Sequence, residues 1–338
     1  MLYNVVIKRP NRERAVIMRI QTVCILGGTG FVGRQIANRL ANTPIRIKVL
    51  TRRRERNRHL LPIPNLELVE ANIHDPAELA HQLEGVDAVI NLVAILNESS
   101  KPGRGFETVH VELVEKLLEA CQTAGVRRLL HMSALGAAVD GPSRYQQTKG
   151  EGERLALAAN GDDLAVTVFK PSVVFGAADG FLNTFAGMLK LAPVMPLPTP
   201  NAKFQPVYVD DVAAAFEHSL TDRRTFGRTY ELGGPNVYTL ETLVRYVARL
   251  LGLKRAIIGL PDGLSRLQGR ILQRFPGKPY TYDNYLSSQV DNVCSHNGLP
   301  ELGVHPTSLE AVAPGYLGAG KSRDRYDEWR RDAGRHSE

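Results

Sequence analysis

Three residues near the middle of this 338-residue chain could carry proton chemistry. Tyr145 and Lys149 stand four apart in the string Tyr145-Gln146-Gln147-Thr148-Lys149, a spacing that puts both on one face of a helix. A free phenol has a pKa of ~10, too high for useful proton transfer near neutrality. An ammonium one turn away, together with a positively charged nicotinamide, favours the phenolate and is expected to lower that value. Tyr145 could then exchange a proton with a substrate oxygen, with Ser133, at the end of an apolar run, holding that oxygen and Lys149 reaching a ribose. The YxxxK string is common by chance on surface helices, so its weight depends on what surrounds it.

What surrounds it begins with glycines. Gly27-Gly28-Thr29-Gly30-Phe31-Val32-Gly33 directly follows the apolar run Val23–Leu26 and opens the helix-period run Phe31–Leu40. It satisfies Gly28-x-Gly30-x-x-Gly33 and, in a second register, Gly27-x-x-Gly30-x-x-Gly33. A side chain in such a loop would block the backbone from approaching a pyrophosphate, and the last glycine lets the helix lie close on the strand. The helix N-terminus then offers free N–H groups and a positive dipole end to the phosphates. The alternative is a tight glycine turn that packs and binds nothing. Read as a nucleotide loop, it predicts a nicotinamide dinucleotide whose hydride chemistry would complement Tyr145.

The second strand's end selects the nucleotide. NAD sites usually place Asp or Glu ~20 residues on, against the ribose 2′-hydroxyl. Here the chain reads Thr51-Arg52-Arg53-Arg54, with no acid before Glu55. Guanidinium groups pair bidentately with a 2′-phosphate that a carboxylate would repel. The expectation is NADP(H) over NAD(H), with Arg52 the lead contact and Arg53 or Arg34 secondary. The bland alternative is that RRRERNR is a solvated charge run.

These residues need a scaffold, and the pattern supplies one. Strand-like runs at 23–26, 45–50, 66–70, 88–96, 126–132 and 166–169 alternate with helix-period runs at 31–40, 76–83, 109–124 and 145–159. Such alternation demands an α/β fold, a Rossmann-type doubly wound parallel sheet with helices on both faces. After Pro171 the rhythm changes. Prolines cluster at 193, 196, 198, 200 and 206, Asp210 and Asp211 stand where a helix cap would precede 212–220, and a strand (229–232) and helix (240–251) follow. The predicted division is an N-terminal extension (1–21), an NAD(P)-binding Rossmann domain (22–175), a mixed region completing the sheet (176–320) and a charged tail (321–338).

Composition narrows the class. Hydrophobic residues at 43% and charged residues at 23% exclude a disordered or collagenous chain. Cys24, Cys121 and Cys294 lie far apart without a CxxC, which excludes a zinc ribbon, predicts no metal and fits a reducing compartment. They read as small buried hydrophobes. Residues 1–21 lack a signal-peptide core, and 1–17 are expected to be dispensable, translation starting either at Met1 or at Met18. No run of 18 apolar residues spans a membrane; Phe181–Pro198 could at most touch a bilayer surface. The net charge of +7 admits an anionic partner. The arginines nevertheless lack the interleaved aromatics of a stacking surface, so nucleic-acid binding is not expected.

Taken together, the strings CILGGTGFVGR (24–34), HMSALGA (131–137), YQQTK–GEGE (145–153), FKPSVVFG (169–176), FQPVYVDDVA (204–213) and YELGGPNVYTLETL (230–243) resemble the short-chain dehydrogenase/reductase superfamily. More narrowly, they resemble its atypical, NAD-dependent epimerase/dehydratase-like branch, closest to the nucleotide-binding accessory subunit of respiratory complex I and its bacterial relatives. The resemblance implies a smaller, mostly C-terminal substrate lobe. It also implies cofactor contacts by Gly27, Thr29, Gly30, Phe31, Val32, Gly33, Arg52, Asn72, Ile73, Val93, Ala94, Lys149 and Pro171. Where many relatives carry Asp for adenine this chain has Asn72, and His110 stands where the relay Asn would lie. His110 could belong to the relay, contact substrate, or simply pack. In the complex I subunit the cofactor is thought to be structural.

Two functions follow as expectations. One is an NADP(H)-dependent oxidoreductase or epimerase/dehydratase-like enzyme acting on a small carbonyl or hydroxyl substrate through Ser133, Tyr145 and Lys149. The other is a non-catalytic NADPH-binding accessory or assembly factor of a respiratory or quinone-related complex. Either would be cytoplasmic, in the second case peripheral to the inner membrane in association with a membrane complex.

Overall fold

Val23–Leu26 has no polar face, so it can be satisfied only in the middle of a sheet covered on both sides. The computed structural model describes residues 19–98, 104–275 and 280–318, and puts β1, Thr22–Leu26, between two parallel neighbours. The extension at 1–17, the charged tail and Trp329 lie outside the described residues.

The first half alternates as the pattern requires. After β1 come α1 (Phe31–Leu40), β2 (Arg46–Thr51), β3 (Leu66–Glu70), α2 (Pro76–Leu83) and β4 (Ala88–Asn91). Asp75 caps α2 by accepting from the Ala77 and Glu78 N–H groups, and proline fills the first turn, where no N–H is needed. α3 (Arg104–Glu107) continues through a π-helical turn at 108–112 into α4 (Leu113–Ala124). Then follow β5 (Arg128–Met132), α5 (Arg144–Ala158) and β6 (Ala165–Pro171).

The second half supplies β7 (Val174–Phe175), α6 (Leu182–Leu191), β8 (Val194–Leu197), β9 (Lys203–Phe204), β10 (Val207–Tyr208), α7 (Val209–Ser219) and β11 (Arg228–Leu232). β12 (Tyr238–Thr239), α8 (Leu240–Leu250), β13 (Ala256–Gly259), α9 (Asp262–Leu272) and α10 (Tyr282–Ser287) follow, and the short helices α11 (Leu309–Val312) and α12 (Pro314–Leu317) complete it. The seven-stranded sheet runs β11-β6-β5-β4-β1-β2-β3, parallel throughout. Strand order reverses between β1 and β4, which opens a crevice beyond their carboxyl ends. α1 and α7 cover one face through Ile36, Leu40 and Phe216; α2 and α4 cover the other through Leu79 and Leu117. A third core, including Phe175, Leu189, Leu243 and Ile257, builds a separate lobe around α6 and α8. Phe175 and Val207 are buried in cores, and Phe181 and Phe204 pack against the lobe's core.

Three local expectations change. The apolar run 88–96 leaves the sheet at Asn91, because the buried Asn91 amide oxygen takes the Val93 N–H and turns the chain; Leu96 ends 68% exposed. Asp210 and Asp211 do not cap a helix but sit in the first turn of α7. Asp210 accepts from Gln35 and Arg39 of α1, and Asp211 from the Thr307 N–H and hydroxyl, so the pair ties elements together. Phe181–Pro198 divides into α6 and β8, and among the described residues no helix is long and apolar enough to cross a membrane.

At the opposite edge of the sheet from the crevice, Arg128 is wholly buried. Its guanidinium donates to the carbonyls of Ala165, Ser219 and Leu220 and to the hydroxyls of Thr167 and Thr225. This satisfied arginine is a structural clasp between β5, β6 and the end of α7.

Candidate functional site

The glycine loop is sterically committed to glycine. Gly27 has φ of +78°, and a Cβ there would meet Leu92 at the start of the β4 loop. A Cβ on Gly28 would lie 2.8 Å from the Val49 side chain, and one on Gly33 only 2.5 Å from Gly28 Cα. The first helical bond of α1 runs from the Arg34 N–H to the Gly30 carbonyl at 3.0 Å, so the N–H groups of Phe31, Val32 and Gly33 precede the ladder. The loop therefore presents a bare, concave backbone and a helix N-terminus at the switch point between β1 and β4. That is a cradle a dinucleotide's pyrophosphate fits. Val93 and Ala94, just past β4, and Pro171, ending β6, lie along the same carboxyl edge.

On the adenosine side, Arg52 and Arg53 leave the end of β2 with exposed side chains, and among the described residues no ion pair engages them or Arg34. Glu55, the nearest acid in sequence, is occupied by Arg58 at 2.7 Å. The fold adds one acid that linear reading did not place here. The Glu70 carboxylate, ending β3, accepts the Arg54 N–H at 2.8 Å. Asn72 turns its amide oxygen onto the His74 N–H at 3.2 Å, which leaves its NH2 group for a base, with half-buried Ile73 beside it.

The proton-transfer candidates divide into two groups. Lys149 is buried and donates to the Met132 carbonyl at 2.6 Å, next to Ser133. Burial pushes its ammonium down to about 8, and the Glu153 carboxylate one turn on opposes that push. Ser133 also belongs to this group, but its hydroxyl is taken: it donates to Glu153 Oε2 at 2.7 Å. The other Glu153 oxygen accepts from Lys170 at 3.1 Å, and Lys170 also donates to the Ala137 carbonyl.

Tyr145 occupies the preceding turn of α5. Its ring sits edge-on to His110 (5.6 Å between centroids) and to Phe106 (5.9 Å). Its hydroxyl has no hydrogen-bond partner among the described residues. Among the chain's own groups, burial, and then the Asp283 carboxylate of α10, push the phenol up to about 12. Lys149 is committed to Met132, and the Phe106 and His110 rings pack against the half-buried Tyr145 ring, so desolvation wins.

His110 packs. It is 2% exposed, stacks on Phe106, accepts from the Ile95 N–H through Nε2 and contacts the Thr148 hydroxyl through Nδ1 at 3.0 Å. With Nε2 accepting, Nδ1 must carry the proton, and the Thr148 hydroxyl passes its own to the Arg144 carbonyl. Burial and Lys149 push the ring down to about 3, which keeps it neutral. His131 behaves alike: buried beside β4, it takes the Asn91 amide on Nδ1 at 3.2 Å and is held neutral.

Residues 23–233, well over half of the chain, match the NAD dependent epimerase/dehydratase family. The chain belongs to that family. Its relatives include the mitochondrial NADH-ubiquinone oxidoreductase 40 kDa subunit of Neurospora crassa, 27% identical over 315 residues that cover 90% of this chain and 81% of that one. The mitochondrial NADH dehydrogenase (ubiquinone) 1 alpha subcomplex subunit 9 of Arabidopsis thaliana is 34% identical over 249 residues, 72% of this chain and 61% of that one. Ceramide reductase of Caulobacter vibrioides is 28% identical over 250 residues, 71% of this chain and 74% of that one. Among solved structures, MoeE5 in complex with UDP-glucose and NAD shares the fold at a TM-score of 0.69 and 19% identity, over 92% of this chain and 99% of that one. The dTDP-glucose 4,6-dehydratase DesIV of Streptomyces venezuelae does so at 0.70 and 20%, over 92% and 97%.

Within this epimerase/dehydratase fold the residue that sequence reading passed over is Glu153. The signal was available: Tyr145, Lys149 and Glu153 repeat at four-residue intervals along one face of α5. What the spacing could not reveal is that the carboxylate reaches back to Ser133 rather than out to solvent. Of the free thiols, Cys24 and Cys121 are buried and Cys294 is half-buried, and burial pushes all three up to about 12. Among the described residues no cluster is suited to a metal ion.

Proposed function

We propose that this epimerase/dehydratase-family protein holds NADP(H) across the crest of its sheet as part of its fold. In this reading it serves as a peripheral accessory or assembly protein of a membrane-bound respiratory or quinone-linked complex. The observation that carries it is the Ser133–Glu153–Lys170 network: the serine expected to hold a substrate oxygen spends its proton on a partly buried, ion-paired carboxylate. The Tyr145 phenol, pushed up to about 12 by burial and the Asp283 carboxylate, supports the same reading. The Gly27–Gly33 cradle and Lys149 would hold the pyrophosphate and the nicotinamide ribose. Arg52, aided by Arg53 or Arg34, would hold the 2′-phosphate, in preference to NAD(H). The names of the Neurospora and Arabidopsis relatives support the setting.

Native mass spectrometry of freshly purified protein tests the reading. It should show one retained NADPH per chain. Stripping the nucleotide should lower the melting temperature, since a ligand at a thousandfold excess over Kd adds about 4 kcal/mol to stability. Sustained turnover of any member of a panel of carbonyls and quinones would overturn it.

A second reading, an NADP(H)-dependent oxidoreductase on a small carbonyl or hydroxyl compound, is favoured by one feature. Lys149, pushed to about 8, sits one turn from a tyrosine whose hydroxyl is unengaged. Tyr145→Phe separates the two: it abolishes turnover in the second reading and leaves NADPH retention unchanged in both.

A further inference from the structure

The helix α9 is attached by its wrong-looking side. Its buried face consists of small residues: Ser265, whose hydroxyl takes the Thr199 N–H at 3.1 Å, and Gly269, where a Cβ would lie 3.0 Å from the Thr281 carbonyl. The large apolar residues face outward. Leu264 is 50% exposed, Leu267 51%, Ile271 46% and, just past the helix end, Phe275 55%. Their spacing of three and four residues lines them up on one stripe.

Beside that stripe runs a second one, made of Arg266, Arg270 and Arg274, all exposed. Arg266 and Arg270 lie over the Tyr282 ring of α10, which fixes their stems while leaving the charges at the surface. From Arg249 to Phe275 the chain carries Arg249, Lys254, Arg255 and these three arginines against a single acid, Asp262, which is occupied by the Tyr285 hydroxyl. The apolar stripe also adjoins more apolar surface. Gln268 reaches the Pro196 carbonyl of β8 at 3.4 Å, and the outer faces of β8 and β13 expose Val194 and Ile258. A soluble surface seldom leaves contiguous leucine, isoleucine and phenylalanine open to water beside a row of arginines.

We infer that α9 is a membrane-surface helix, its Leu264–Leu267–Ile271–Phe275 stripe entering the headgroup boundary of an anionic bilayer while the arginine stripe pairs with lipid phosphates. A helix with apolar residues on one face and cations along its border lies in the interfacial plane, and each cation near an anionic surface strengthens binding about fivefold. The inference does not depend on the nucleotide: α9 belongs to the lobe, far from Gly27–Gly33 in sequence, and it calls for lipid rather than a protein partner as the contact.

Flotation of the full chain with vesicles tests it. Wild type should float with phosphatidylcholine–phosphatidylglycerol vesicles, float at least tenfold less with phosphatidylcholine alone, and release as salt is raised. Leu267→Glu and Ile271→Glu change exposed positions. Each should cut binding at least tenfold with an unchanged melting temperature and unchanged NADPH affinity. Arg274→Gln should weaken binding several-fold and reduce its salt dependence. No binding to the anionic vesicles, or equal binding by Ile271→Glu, overturns the inference. So does a solution dimer that Ile271→Glu dissociates, because a second copy would then be the occupant.

Discussion

Ser133 Oγ donates to Glu153 Oε2 across 2.7 Å, while Glu153 Oε1 lies 3.1 Å from Lys170 Nζ. This one carboxylate therefore serves the strand-end serine, a lysine of β6 and, through its charge, Lys149 on its own helix. Removing it should be felt in all three places. Glu153→Gln is expected to cost about 2 kcal/mol, between the values for exposed and fully buried ion pairs, whereas Ser133→Ala costs about 1 kcal/mol. Urea denaturation of the two variants measures this; equal small losses would show that the network contributes little.

Lys149 gives the same site a pH dependence. Its folded pKa of about 8 lies below its ordinary 10.5, so the unfolded chain holds the proton more tightly. The burial cost is present in full below about pH 8 and is relieved as pH climbs from about 8 to 10.5, where unfolding free energy should rise. If Lys149 holds the ribose as proposed, NADPH affinity should move the other way above pH 8, as the ammonium is lost. In Glu153→Gln the decline should begin at lower pH, because the opposing carboxylate is gone. Titrations of NADPH fluorescence across pH 6–10 read both curves.

Arg52 sets nucleotide choice if the 2′-phosphate lies at the end of β2. Arg52→Ala should weaken NADPH binding about tenfold to a hundredfold, the value of a charge-assisted pair, and leave NADH binding within twofold. An equal loss for both coenzymes would assign Arg52 a structural role. The Glu70 carboxylate on the Arg54 N–H makes a complementary prediction: Glu70→Gln should favour NADPH slightly by removing a nearby negative charge.

Gly33 cannot grow a side chain without moving backbone. The new Cβ would sit 2.5 Å from Gly28 Cα and 2.6 Å from the Gly27 carbonyl oxygen. Gly33→Ala should destabilise the protein by about 1–3 kcal/mol and abolish nucleotide binding. Gly263→Ala, where nothing lies within 4 Å, is the matched control and should alter neither. Calorimetry with and without NADPH distinguishes the two variants.

His110 should make the protein acid-labile. Its folded pKa of about 3 lies below its ordinary 6.5, so its neutral, doubly hydrogen-bonded ring contributes fully above pH 6.5. That contribution is lost as pH falls from 6.5 toward 3, by up to about 5 kcal/mol. His110→Gln should flatten the profile over that window, at some cost in stability at pH 7. Chemical denaturation between pH 4 and 7 reads the slope.

The alternation of strands and helices, the glycine loop and the helical face bearing Tyr145 and Lys149 were legible in the sequence because each is a local pattern: hydrophobic period, missing side chains and a one-turn spacing. α1, α2 and β3 fall at the boundaries that such patterns predict. Local pattern was less able to show where a strand stops. β4 ends at Asn91 because a buried amide captures the Val93 N–H, a choice made by the packing around Asn91 and His131. Nor could it say which partner a polar side chain finds. Asp210 and Asp211 reach α1 and Thr307, Ser133 reaches Glu153, and the half-buried Tyr145 packs against Phe106 and His110, where desolvation and the Asp283 carboxylate push its pKa up. Sequence thus determined which groups could meet and on what scaffold. Tertiary structure decided their protonation and their partners, because both depend on desolvation and on distances between residues far apart in the chain.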